Sequence, residues 1–194
     1  MPALEELRLH QGTVWRWNRA IYDPAEGGHL RIEMRALPSG PTVTDMLANA
    51  AFLLGLTLAL ARDAEVWTRQ LLFARAHANF YDAARLGLEA ELEWPGPDGA
   101  PERVNAAELV PRLLPEARRG LVEAGVEVAE ADRLLGVFGD RVASGQTGAV
   151  WQRRTLAALE GRGCGREEAL PELLERYLEL QAGGDPVHTW PVEG

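Results

Sequence analysis

The chain has 194 residues, 46% apolar and 25% charged, which is ordinary for a soluble globular protein with a real core. Its net charge of −9 argues against a protein that coats nucleic acid, while a small anion in a locally basic cleft stays open. All 20 Lys-plus-Arg positions are arginine, which excludes a Schiff-base lysine and a P-loop lysine.

The first expected element is a strand over His10–Arg19, with Thr13, Trp15 and Trp17 on one face and Val14, Arg16 and Asn18 on the other. Turn chemistry follows at Asp23-Pro24-Ala25-Glu26-Gly27-Gly28. Leu30-Arg31-Ile32-Glu33-Met34-Arg35-Ala36 alternates without a break and predicts a second strand over 29–36, antiparallel to the first. Leu30, Ile32, Met34 and Ala36 are expected to face a core, and Arg31, Glu33 and Arg35 to line the other face.

Pro38-Ser39-Gly40-Pro41 breaks the chain, and Thr42 or Thr44 can cap a helix that runs to about Ala61. That helix is apolar nearly all round and is expected to be central. Its apolar run is interrupted by Asn49 and is shorter than the ~20 residues that span a bilayer, so a buried helix is the expectation. A single helix is predicted over 65–87, then a strand over Leu88–Trp94 closed by Pro95-Gly96-Pro97-Asp98-Gly99. Four helices complete the chain, over 105–124, 129–143, 148–160 and 167–182. In the last, Leu170, Leu173, Leu174, Tyr177 and Leu178 are expected to make one apolar stripe. The expected fold class is α+β: a small antiparallel sheet followed by a mostly helical body. The expected organisation is one unit over 1–194, with a β hairpin in 1–41 and helices in 42–194.

The single Cys164 cannot form an intrachain disulfide. With no apolar stretch in residues 1–20 to suggest a signal peptide, a cytoplasmic location is expected. The histidines show no metal-ligand spacing.

Three segments carry candidate chemistry. The Arg31-Glu33-Arg35 row reads as a solvated sheet face or as a carboxylate set among fixed cations, with Arg16 and Arg19 on the neighbouring strand. The loop in Arg141–Gln152 reads as a helix connection or as backbone amides presented to an anion. Asp185-Pro186-Val187-His188-Thr189-Trp190 reads as a tail pinned onto the body.

His10-Gln11-Gly12-Thr13-Val14-Trp15-Arg16-Trp17-Asn18-Arg19, together with His29 to Thr42, resembles the type-2 glutamate–cysteine ligase family, the carboxylate–amine ligases of bacteria. Gly145–Gln152 and Pro186–Trp190 resemble its later motifs. The resemblance implies a partial glutamine-synthetase-like catalytic sheet and covers the C-terminal half of such a ligase. It implies ATP and Mg²⁺ as cofactors, with Glu33 as metal ligand. Arg31 would contact nucleotide phosphate, and Arg35 the acyl phosphate or substrate carboxylate. Arg16 and Arg19 would bind phosphate or the substrate α-carboxylate. The implied reaction joins glutamate to an amine such as cysteine through an acyl phosphate, as in glutathione biosynthesis. The implied partners are these amino acids and either a chain carrying the N-terminal half or a second copy joined through the sheet edge. No nucleic-acid or membrane partner is implied. The alternative is a non-catalytic binding or interaction domain, or an inactive truncated homologue.

Overall fold

The computed structural model describes residues 4–6 and 18–192, and these fall into two units, one ending at Ser39 and one beginning at Gly40. The expected strand over 10–19 therefore lies, except for its last two residues, outside the described residues.

In the first unit, β1 (Asn18–Asp23) pairs antiparallel with β2 (His29–Met34). The connecting residues contain a 3-10 turn at Ala25–Gly27, where the Asp23 carboxylate accepts from the Ala25 amide at 3.0 Å. The hairpin is thus the expected one, and its first strand runs four residues beyond Arg19, to Asp23. Register places Arg19 opposite Glu33, Ile21 opposite Arg31 and Asp23 opposite His29. The expected core face is corrected: Leu30 and Ile32 are 65% and 60% exposed, Met34 is half-buried and Ala36 is exposed.

The second unit is built on α1 (Val43–Ala61). Thr42 is its N-cap and accepts from the Asp45 amide at 3.1 Å, satisfying one of the orphan donors of the first turn. Helix α1 packs chiefly against α4 (Ala106–Glu123) and α5 (Val128–Ser144). The α1–α4 crossing is close because both helices are small there. A Cβ on Gly120 would run into the Gly55 carbonyl oxygen, and one on Gly55 into the Ala117 carbonyl oxygen. Ala51, Ala117, Leu121, Ala131, Leu134 and Leu135 form the shared core, and Phe52 stacks on Phe138 with centroids 4.3 Å apart.

Helix α1 is central, as expected, but only on this small-residue side: Val43, Leu47, Leu54 and Leu58 are exposed. Among the described residues it is the one helix long and apolar enough to cross a membrane by those criteria alone, and 28% of its most apolar window is buried.

The single helix expected over 65–87 is two helices, α2 (Ala64–Gln70) and α3 (Phe73–Leu86). Leu71 and Leu72 leave the helical region, and the Leu72 carbonyl accepts from Arg75 and Ala76 to start the second piece. Each piece is tied to the same strand, β3 (Glu91–Pro95). Trp67 packs on Trp94 with centroids 5.6 Å apart. Asn79 grips Glu93, its Nδ2 donating to the carbonyl at 2.7 Å and its Oδ1 accepting from the amide at 2.9 Å. Tertiary anchoring at two points overrides the continuous helical spacing.

Strand β3 is shorter than the strand expected over 88–94, since Gly87–Glu89 forms a 3-10 turn. It pairs antiparallel with β4 (Pro101–Asn105), a strand absent from the sequence reading because it opens on proline and carries three polar residues. Asn105 then caps α4 by accepting from Ala107 at 2.9 Å. The last helices, α6 (Gly148–Gly161) and α7 (Arg166–Gly183), follow their predicted spans closely. The apolar stripe expected on α7 divides. Leu173 and Tyr177 pack with Leu180 against Trp151, Val187 and Trp190, whereas Leu170, Leu174 and Leu178 are exposed. The molecule is α+β, with two small antiparallel sheets and a helical body.

Candidate functional site

The polar face of the β1–β2 hairpin holds the sequence-predicted site residues that the structure describes. Because side chains alternate along each strand, Arg19, Ile21 and Asp23 share one face with His29, Arg31 and Glu33. Arg35 follows directly on β2, and its amide donates to the Asn18 side chain at 3.3 Å.

Glu33 stands between two arginines. Arg19 Nε donates to Glu33 Oε2, and Arg35 Nε donates to Oε1 at 2.8 Å. These bonds, that from Arg19 first, hold the Glu33 carboxyl below its ordinary range. Arg31 points to a second cluster. Its Nη1 lies 3.4 Å from Asp23 Oδ2 and 2.9 Å from His29 Nε2. The Asp23 carboxyl is lowered first by the Ala25 amide, with Arg31 contributing. So the structure brings Arg19, Glu33 and Arg35 together and sets Arg31 beside Asp23 and His29. Arg16 lies outside the described residues.

Among the described residues the face carries the guanidiniums of Arg19, Arg31 and Arg35 and the carboxylates of Asp23 and Glu33. Guanidiniums supply planar, permanently charged donors matched to phosphate and carboxylate oxygens, so an anion is the ligand this face suits. Among the described residues no group of three or more His, Cys, Asp or Glu is placed to hold a metal ion. Both Glu33 oxygens accept from arginine, so the hairpin does not suit a bare divalent cation. Magnesium carried by a polyphosphate needs only one or two protein carboxylates, and Glu33 can supply one.

The two later motifs meet in the second unit around a buried carboxylate. Asp45 is fully buried; Arg141 Nη1 donates to its Oδ1 at 3.0 Å. Its Oδ2 accepts from the Thr42 hydroxyl at 2.9 Å and from the Val187 amide at 3.0 Å. Arg141 Nη2 donates to Asn49, and its guanidinium lies 5.1 Å from the Phe138 ring centroid. Burial pushes the Arg141 guanidinium down from its usual range while Asp45 opposes that shift.

Gly145 takes the left-handed conformation that ends α5, and Thr147 caps α6 by accepting from Val150 at 3.3 Å. Gln146 Nε2 donates to the carbonyls of Val187 at 2.9 Å and Trp190 at 2.8 Å. Trp151 Nε1 donates to the Pro191 carbonyl at 2.9 Å. The loop therefore acts as a helix connection that also grips the 185–191 segment, which is pinned to the body. The sequence reading passed over Asp45 as a hub. Its signal was an acid inside an otherwise apolar helix, which a buried partner must neutralise.

The chain is thus an α+β protein in which a hairpin with an arginine-rich face is followed in sequence by a helical body whose motif segments close on one another. The family model for glutamate–cysteine ligase family 2 matches residues 23–179, and the chain belongs to that family. No curated protein and no solved structure matches the chain. The match covers β2 with Arg31, Glu33 and Arg35, and the whole run from α1 through most of α7. Membership makes the chain glutamate–cysteine ligase-like, a class that takes amino acids as small-molecule substrates.

Proposed function

We propose that this chain serves an ATP-dependent carboxylate–amine ligase that forms a γ-glutamyl peptide bond. The observation that carries the reading is the Arg19–Glu33–Arg35 cluster beside Arg31, of which Arg31, Glu33 and Arg35 lie inside the family match. In the proposed reaction the γ-carboxylate oxygen of glutamate attacks the terminal phosphorus of ATP, and ADP leaves with the bridging electron pair. The amine nitrogen of the second amino acid, such as cysteine, then attacks the acyl carbon, and phosphate leaves. Such transfers depend on positioning and on neutralising the spread phosphate charge. Arg31 contacts the nucleotide phosphates, with Asp23 and His29 fixing its position. Arg35 holds the acyl phosphate or the substrate carboxylate, and Arg19 and Arg16 a phosphate or the α-carboxylate. Glu33 would be the carboxylate that holds magnesium brought in with the nucleotide, and the metal would supply further neutralisation of phosphate charge.

Each two-stranded sheet can accept a strand at an outer edge, so a chain carrying further catalytic strands, or a second copy, can join the hairpin. A second reading is anion binding without turnover. It draws on the engagement of both Glu33 oxygens by arginine.

Calorimetry with ATP, Mg²⁺ and glutamate, followed by phosphate release on adding cysteine, separates the readings. The ligase reading expects Mg²⁺-dependent nucleotide binding and glutamate-dependent phosphate release, both lost in Glu33→Gln. Nucleotide binding that ignores Mg²⁺ and survives Glu33→Gln, with no phosphate release, supports the second reading. Absence of binding overturns both.

A further inference from the structure

We infer that α7 carries a docking ridge for a basic amphipathic helix of a partner protein. Helix α7 is anchored by Leu173, Tyr177 and Leu180 against the Trp151–Val187–Trp190 core and, near its end, by Gln181, whose Nε2 donates to the Pro41 carbonyl at 2.8 Å. On its outer side Leu170, Leu174 and Leu178 are 46%, 58% and 53% exposed. Their i, i+4, i+8 spacing stacks them into a ridge about 12 Å long, one leucine per turn. Isolated exposed leucines are ordinary, but a row at one-turn spacing is the surface that fits the groove of another helix.

The charge beside the ridge states what that helix carries. At 3.6 residues per turn, Glu175 and Glu179 flank Leu178, and both are exposed. Among the described residues neither Glu175 nor Glu179 makes an ion pair, whereas Glu172 pairs with Arg176 and lies 3.8 Å from Arg162. Two unneutralised acids therefore flank the Leu178 end of the apolar row. Two copies paired antiparallel about a two-fold axis through this ridge would set their acidic borders on the same side, where they repel. An anionic lipid surface is repelled likewise. A helix with apolar residues at one-turn spacing and lysine or arginine along the adjoining edge satisfies both the ridge and its border.

The probe is a fluorescein-labelled helical peptide of about fourteen residues with leucine on one face and lysine on the other, read by anisotropy against the whole chain. Saturable binding is expected. It weakens about tenfold or more in Leu174→Asp, and similarly in the double variant Glu175→Arg, Glu179→Arg, which leaves the leucines in place. Leu58→Asp on α1 and Glu65→Arg on α2 leave binding unchanged. The same peptide with glutamate in place of lysine does not bind. Thermal melts confirm that the variants fold. Undiminished binding by Leu174→Asp, loss through Leu58→Asp instead, or equal binding of the acidic peptide overturns the proposal. So does self-association in sedimentation that Leu174→Asp abolishes, since a second copy would then be the occupant.

Discussion

Arg141 donates to Asp45 at 3.0 Å across 96 positions of sequence, and both side chains are buried. A buried pair of this kind costs desolvation to form, yet is strongly destabilising to break, because the partner left behind is an uncompensated charge. Asp45→Ala also leaves the Val187 amide and the Thr42 hydroxyl without their acceptor. The expected loss is about 3–5 kcal/mol in urea unfolding followed by tryptophan fluorescence. A loss below about 1 kcal/mol would show that the helical unit does not depend on this pair.

The α1–α4 crossing makes a sharper test because it contrasts two glycines. In Gly120→Ala the added methyl meets the Gly55 carbonyl, backbone that cannot turn aside, so the helices must separate. Overpacking of this sort costs about 1–3 kcal/mol. Gly136→Ala, on α5 with open space around the new carbon, is expected to be neutral or to stabilise by up to about 1 kcal/mol. Melting temperatures of the two variants should move apart; equal shifts would contradict the close crossing.

Asn79 binds both backbone groups of Glu93, occupying the place a neighbouring strand would fill. Asn79→Leu is expected to cost about 1–3 kcal/mol through the unpaired backbone groups. Hydrogen exchange at the Glu93 amide reads this directly. It should rise in the variant while the α5 amides stay protected, and unchanged protection at Glu93 would remove the clamp.

The hairpin carries a pH signature. Glu33 titrates below its ordinary value of 4.5 because Arg19 and then Arg35 bond its charged form. A folded value lower than the unfolded one means the favourable contribution is complete above the ordinary range and disappears as pH falls through the folded value. The Nε–H resonances of Arg19 and Arg35 should therefore keep their bonded shifts at about pH 5 and move only well below it. A midpoint at or above the ordinary value would show the pairs to be absent in solution.

Much of the helical body was legible because its helices are long and punctuated: Thr42, Asn105 and Thr147 cap α1, α4 and α6. The failures have local causes. The break at Leu71–Leu72 carries no proline or glycine, and Trp67 and Asn79 show its purpose only when Trp94 and Glu93 are beside them. Strand β4 is hidden by Pro101 and its charges, and it exists through pairing with β3. On the hairpin, alternation located the Arg31–Glu33–Arg35 face correctly, but period-two spacing reports which residues share a face, not whether the opposite face is covered. The pairing of Arg31 with Asp23 and His29 depends on register, which the turn length sets. Leu174 and Leu178 fall in one expected stripe with Leu173 and Tyr177 because a helix with two apolar flanks gives the same spacing as one with a single broad one.

The Val187 amide reaches back 142 positions to the carboxylate of Asp45. During vectorial synthesis, α1 emerges from the ribosome carrying an acid whose neutralising arginine and final amide donor do not yet exist. The nascent chain must hold that helix, its most apolar, unsealed until Arg141 and Val187 have appeared. Contacts this distant in sequence slow folding and prolong exposure of apolar surface. The helical body is therefore expected to close only once residues 141–187 have emerged, with a need for chaperone protection that its final stability would not reveal.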